Sequence, residues 1–230
     1  LKWNKNEYRS LLKEALPQYG VTIFNILLAR FDWILIGILS STLVTAEYSF
    51  AYKAFEFIRL PLLIISPLLL PMFTNLYKDG NTISLKRKMK LHLLFRIEIV
   101  VSALLPILII SCWSPLVDEI TNNKYGHTNE SIFIILCICI PLQFATDFFW
   151  NICFARNQIN ITLKIVLYSG CANILLNLVL IPLYGGIGAA ISYVVCFVLQ
   201  FLLFSRYAQA DKAIQNIWLL VKVIGCAIIS

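Results

Sequence analysis

Charge is scarce in this chain. Lys and Arg number 19 and Asp and Glu 12, together 13% of 230 residues. A soluble domain carries about 25% charged and about 45–50% apolar residues. Here 60% are hydrophobic and the mean hydropathy is +0.81. Too little polar surface remains to cover a water-soluble globule, so lipid is the expected solvent. The chain also lacks zinc-type Cys/His spacing and a Gly-Lys-Ser/Thr phosphate loop. No metal or cofactor is therefore implied. Its seven cysteines lie in or beside apolar runs. An odd number within helices is no disulfide framework, and they read as small buried hydrophobes. No low-complexity tract occurs, and no loop is long enough to form a soluble domain. The start opens on Leu1 with no signal-type core, and the end stops inside an apolar run. The expectation is a fragment of a longer chain.

What is present is a series of long apolar runs. A membrane span needs about 20 mostly apolar residues. Six stretches fit, at about 17–39, 46–76, 92–113, 131–155, 160–182 and 187–207, with a truncated seventh over 213–230. The expected fold is an all-α integral membrane bundle, with one six-span lobe over 1–212. The second span holds Pro61, Pro67 and Pro71 and is expected to be broken or kinked. A β-barrel would show weak alternating segments of about 10 residues, unlike these continuous runs.

The net charge of +7 could suggest nucleic acid, but the cations alternate between connections. Residues 1–16 carry Lys2, Lys5, Arg9 and Lys13, whereas 40–46 carry no Lys or Arg. Residues 77–91 carry Lys78, Lys86, Arg87, Lys88 and Lys90. Residues 114–130 carry only Lys124, against Asp118, Glu119 and Glu130. Arg156 and Lys164 flank the next connection, "PLYGG" is uncharged, and Arg206 and Lys212 flank the last. Basic segments face the cytoplasm. The N-terminal segment is therefore expected inside, and no nucleic-acid partner is implied.

Several charges interrupt the apolar runs, and an ionisable residue at mid-bilayer costs at least about 2.5–3.5 kcal/mol. In "LLARFDWILIGILSS" Arg30 and Asp32 stand two apart, roughly 200° around a helix, so their partners must lie elsewhere. Counting inward from Leu39 and Ala46, Asp32 matches Lys53 in depth and Arg30 matches Glu56. Two crossed ion pairs are expected. Arg59 is left over, about 20 Å from the start of its span. Asp147, in "LQFATDFFWN", is the other deep charge; it could pair with Arg59 or carry a coupling proton or cation. Arg96 and Glu98 are expected to snorkel to an edge. The structural interpretation is a set of interhelix pairs. The functional one is a water-filled, net-positive cavity for an anionic cargo such as a phosphate-bearing lipid or sugar, since Arg holds phosphate oxygens in bidentate geometry.

No catalytic constellation appears, and an enzyme is not expected. His92 and His127 fall at opposite edges of the topology, and Asp118–Glu119 is the only paired acid at a rim. "YGGIGAA" reads as a tight outer turn followed by close packing through Gly188, Ala189 and Ala190.

"ALPQYGVTIFNILLARFDWILIG", "AEYSFAYKAFEFIRLPLLIISPLLLPMF" and "NILLNLVLIPLYGGIGAAISYVV" together resemble the second lobe of polysaccharide-repeat flippases of the Wzx type. These belong to the multidrug/oligosaccharidyl-lipid/polysaccharide exporter superfamily. The resemblance covers most of residues 15–205. It implies a two-lobe, alternating-access exporter of about twelve to fourteen spans, in the bacterial inner membrane. The implied cargo is an isoprenoid-pyrophosphate-linked oligosaccharide. The implied partners are membrane lipids, an N-terminal lobe of the same chain and other polysaccharide-assembly membrane proteins. The cationic cavity residues carry over to Arg30, Lys53 and Arg59; Asp32, Glu56 and Asp147 remain as pairing or coupling groups. A drug or metabolite cation antiporter of the same superfamily is the alternative, and would prefer an acidic cavity.

Overall fold

A computed structural model describes residues 5–77, 85–122 and 124–208. The expected seventh span over 213–230 and the basic stretch 78–84 lie outside them. Every described element is an α-helix: α1 (Lys5–Leu39), α2 (Thr42–Ile58), α3 (Leu60–Tyr77), α4 (Leu85–Thr121), α5 (Gly126–Ala155) and α6 (Ile159–Ala208). Three helical stretches, Leu93–Thr121, Gly126–Ala155 and Ile159–Tyr207, are long and apolar enough to cross a membrane. These are the proportions of a membrane-embedded protein.

The turns follow from local chemistry. Ser41 is extended (φ −109°, ψ 160°) and its hydroxyl accepts the Val44 N–H at 3.3 Å, capping α2. The connection from α1 thus shrinks to Ser40 and Ser41, where seven loop residues were expected. Between α4 and α5, Asn122 takes a left-handed φ of 54°. Asp118 turns back to accept the Gly126 N–H at 2.7 Å. The segment 114–130 was expected to be a loop but is mostly helical, and the rim carboxylate at Asp118 serves as a cap. After α5, Asn157 (φ 59°) allows the Gln158 N–H to reach the Cys153 carbonyl at 2.9 Å. This six-to-one closure with a left-handed Asn is a common helix stop.

Of the three prolines in 46–76, only Pro61 coincides with a break. α2 ends at Ile58, and α3 runs through Pro67 and Pro71 to Tyr77. Pro61 has no N–H to continue the α2 ladder. The chain closes a tighter turn instead, with the Leu62 N–H on the Arg59 carbonyl at 2.9 Å. Arg59 therefore sits at a joint between two helices.

α6 is not one rod. Gly185 adopts φ 56°, ψ −130°, a conformation open to glycine and costly for a residue with a Cβ. Beyond it the chain folds back, so that the Cys196 thiol donates to the Ser169 carbonyl at 3.0 Å. The two limbs, 159–184 and 186–208, run side by side. A Cβ at Gly188 would overlap the Leu180 carbonyl oxygen, and Ala189 and Ala190 are fully buried. Small residues let the limbs close.

α5 is the central helix. In its most apolar window 78% is buried, against 33% for α4. Two apolar cores stack along it. One gathers Ile36, Tyr52, Phe55, Trp113, Phe133 and Ala189. The other gathers Phe73, Phe95, Ile99, Phe148, Ile152 and Phe204. Trp113 and Phe133 stack with centroids 3.6 Å apart. The six described cysteines are unpaired, and Cys112 and Cys171 face outward.

Candidate functional site

The charges of α1 and α2 separate onto two faces. On one flank Glu56 reaches Lys53 Nζ at 3.3 Å and Arg30 Nη2 at 3.9 Å. The guanidinium of Arg30 lies 4.6 Å from the Trp33 ring centroid, and the Lys53 ammonium 5.5 Å. The side chains of Arg30, Lys53 and Glu56 are 46%, 55% and 34% exposed.

Asp32 faces the other way and is 0% exposed. The expected Asp32–Lys53 pair does not form. Matching depth fixes position along the membrane normal but not rotation about the helix axis, and the roughly 200° between Arg30 and Asp32 turns Asp32 inward. There Asn177 Nδ2 donates to Oδ1 at 2.6 Å, and the Tyr48 hydroxyl to Oδ2 at 3.3 Å. Asn177 also donates to Asn173 Oδ1 at 2.9 Å. The chain of polar groups thus runs from α2 through Asp32 to α6.

Asn173 opens onto a cavity of about 330 Å³. Arg59 and Leu62 contribute from the α2–α3 joint, and Gln143, Thr146, Asp147 and Trp150 from α5. Ser169 and Asn173 come from the first limb of α6, and Tyr193, Cys196 and Gln200 from the second. Tyr193 is the hub. Its hydroxyl receives Gln143 Nε2 at 2.8 Å and Arg59 Nη1 at 3.3 Å. Arg59 also lies over the Phe55 ring, 5.6 Å from its centroid. Arg59 Nε, Gln143 Oε1 and Trp150 Nε1 are buried without a hydrogen-bond partner among the described residues. Such groups are expensive to leave unmade. No known protein family, curated protein or solved structure matches the chain. Its chemistry therefore has to be derived from this geometry.

The expected charges do not converge on one site. Arg59 and Asp147 line the cavity, while Arg30, Lys53 and Glu56 are not among its lining residues. The lining holds one cation and one anion, not the cationic surplus expected. Glu98 is a further correction. It is 7% exposed, with Oε2 lacking a partner among the described residues, whereas Arg96 is exposed. A carboxyl that buried is enclosed by the bundle rather than reaching out to an edge. Among the described residues no group of three or more His, Cys, Asp or Glu is placed to hold a metal.

Sequence reasoning followed charges and missed the amides. Ser169, Asn173 and Asn177 repeat every four residues, as do Gln143, Asp147 and Asn151. In an apolar helix that spacing draws a polar stripe on one face, and each stripe contributes to the cavity or to the Asp32 network.

Proposed function

We propose that the chain is a lobe of a membrane flippase. Its cargo is an isoprenoid-diphosphate-linked oligosaccharide repeat unit, moved across the bacterial inner membrane for polysaccharide biosynthesis. α1, the α2–α3 pair, α4, α5 and the two limbs of α6 are its six passes. The N-terminal segment lies in the cytoplasm. A second lobe of the same protein closes the transport path, and no catalytic step is involved.

The observation that carries this reading is the flank of Arg30, Lys53 and Glu56. Arg30 and Lys53 stand exposed, and Glu56 half-exposed between them, within stretches of α1 and α2 that are mostly apolar. Facing lipid, each would cost several kcal/mol. Facing a water-filled path, they cost little and present a surplus of positive charge to a diphosphate. Arg59, behind them in the cavity, meets another part of the same cargo. The resemblance of residues 15–205 to polysaccharide-repeat flippases supports the cargo class.

The test is export of surface glycan in a strain lacking its own flippase, with the full-length protein quantified in the membrane. Arg30→Ala with Lys53→Ala is expected to cut export at least tenfold at unchanged protein level. Export at the wild-type level would reject the reading. One feature favours a cation antiporter instead: Asp147 in the cavity wall. That alternative predicts efflux of cationic dyes that Asp147→Asn abolishes.

A further inference from the structure

We infer that the cavity at the α2–α3 joint holds a single neutral sugar ring, and that the diphosphate of the cargo is bound elsewhere, on the Arg30–Lys53 flank. The inference rests on the flippase reading for the cargo but on the cavity's own chemistry for the ligand class.

Charge comes first. A site for a diphosphate concentrates cations, because every phosphate oxygen is an acceptor. The lining residues hold Arg59 and Asp147 and no other charged side chain, so the formal sum is zero. A polyanion placed there meets the Asp147 carboxylate as well as the guanidinium. A neutral polyhydroxyl ring meets no such penalty.

The hydrogen-bonding inventory agrees. Sugar hydroxyls both donate and accept, and phosphate oxygens of a dianion only accept. The cavity offers both kinds of group, from the amides of Gln143, Asn173 and Gln200; the Ser169 hydroxyl gives its proton to the Ile165 and Val166 carbonyls and is left as an acceptor. Gln143 is 2% exposed. Its Nε2 is taken by Tyr193, which leaves the acceptor Oε1 without a partner among the described residues. An unsatisfied buried acceptor calls for a donor. A hydroxyl supplies one and can also accept from the buried donors Arg59 Nε and Trp150 Nε1, whereas a phosphate serves only the donors.

Size and shape limit the ligand further. A volume of about 330 Å³ lies at the low end of small-molecule sites and has room for roughly ten water molecules. That is ample for one pyranose ring and short of an extended oligosaccharide. Trp150 and Tyr193 border the space and add aromatic surface beside its polar groups, as suits the mixed apolar and polar character of such a ring.

The test uses purified full-length protein in lipid nanodiscs and needs no variant at first. Glucose, galactose, mannose, N-acetylglucosamine and N-acetylgalactosamine are each titrated, with ligand-detected saturation-transfer NMR as the readout. Glucuronic acid and inorganic pyrophosphate are run alongside. At least one neutral sugar is expected to bind saturably, and glucuronic acid at least tenfold more weakly. Saturating pyrophosphate leaves the sugar signal in place, because the two sites are separate. Gln143→Met, which keeps the bulk and removes the amide, weakens the sugar at least tenfold and leaves pyrophosphate binding within twofold. Displacement of the sugar by pyrophosphate overturns the inference, as does the absence of saturable binding by every neutral sugar. If a sugar binds as described but the flank variants export normally, the flippase reading falls and the sugar site stands. If the flank variants fail to export and no sugar binds, the sugar site falls alone.

Discussion

Arg30 and Arg59 belong to one antiparallel helix pair and its joint, yet their surroundings are opposite. Arg30 stands on an open flank beside Trp33, with Glu56 3.9 Å away and nearly half its side chain exposed. Arg59 is drawn into the bundle, donates to Tyr193 and shares a cavity with Asp147. Both are single cations within apolar sequence, and hydropathy alone treats them as equivalent. The difference lies in which face of the helix each one occupies and in what α6 brings against it. A flank charge is exposed on the described helices, so its removal is expected mainly to affect what binds there. A charge or carboxylate inside the bundle is hydrogen-bonded to other helices, so its removal affects the fold as well.

That contrast can be broken most severely at Asp32. Asp32→Ala leaves Asn177 Nδ2 and the Tyr48 hydroxyl without their acceptor inside the bundle. About 1–3 kcal/mol is expected per stranded group, enough to remove most folded protein from the membrane. Asp32→Asn, which keeps the shape and an acceptor oxygen, retains it. Lys53→Ala does not rescue Asp32→Ala, because the two residues are not partners. Fluorescence-detected size-exclusion chromatography of the single and double variants measures this. Rescue would restore the crossed pairing and undo the separation into faces.

Next in size is the closure of the α6 hairpin, which brings Ser169 and Asn173 opposite Tyr193 and Cys196. Gly188→Ala puts a methyl group onto the Leu180 carbonyl, whereas Gly37→Ala meets nothing within 4 Å. The first is expected to lower the Tm by several degrees, and the second to leave it unchanged or raise it slightly. Equal shifts in a thermal melt would mean that the limbs are not closely packed.

Tyr193→Phe removes the hydroxyl shared by Gln143 and Arg59. It is expected to destabilise by about 1–3 kcal/mol, read as a lower midpoint in a thermal or denaturant melt. Smallest is the flank. Glu56→Ala breaks two exposed contacts, and pairs of that kind contribute about 0–1 kcal/mol. Folded protein is expected within experimental scatter of wild type. A large loss there would place the flank inside a packed interface.

The helical class was legible because runs of about 20 apolar residues have few other ways to satisfy their backbone in lipid. The break beside Pro61 and the turn at Gly185 were legible for local reasons, a missing N–H and a pair of glycines. Pro67 and Pro71 misled, since α3 passes through both. The extent of α4 to Thr121 was hidden because polar residues near a helix end resemble a loop. Asp32 was the clearest failure. Sequence spacing matched it with Lys53, but it is held by Asn177 of α6, 145 residues away. The cavity was half legible. Arg59 and Asp147 were found as deep charges, whereas Gln143, Asn173 and Asn177 were overlooked because their polarity is recognisable only as stripes of period four.

The separation of flank from cavity is tested most directly by thiol accessibility in the full-length protein. Single cysteines replace Arg30, Lys53 and Leu108 in a cysteine-free background, in native membranes. A charged methanethiosulfonate reagent then reports which positions meet water. Leu108 is 66% exposed and sits on the apolar face of α4. Arg30→Cys and Lys53→Cys are predicted to label while Leu108→Cys stays unmodified, because the flank borders a water-filled path and α4 borders lipid. If Arg30→Cys and Lys53→Cys resist the reagent as fully as Leu108→Cys, the flank does not face water, and the assignment of a transport path to it is wrong.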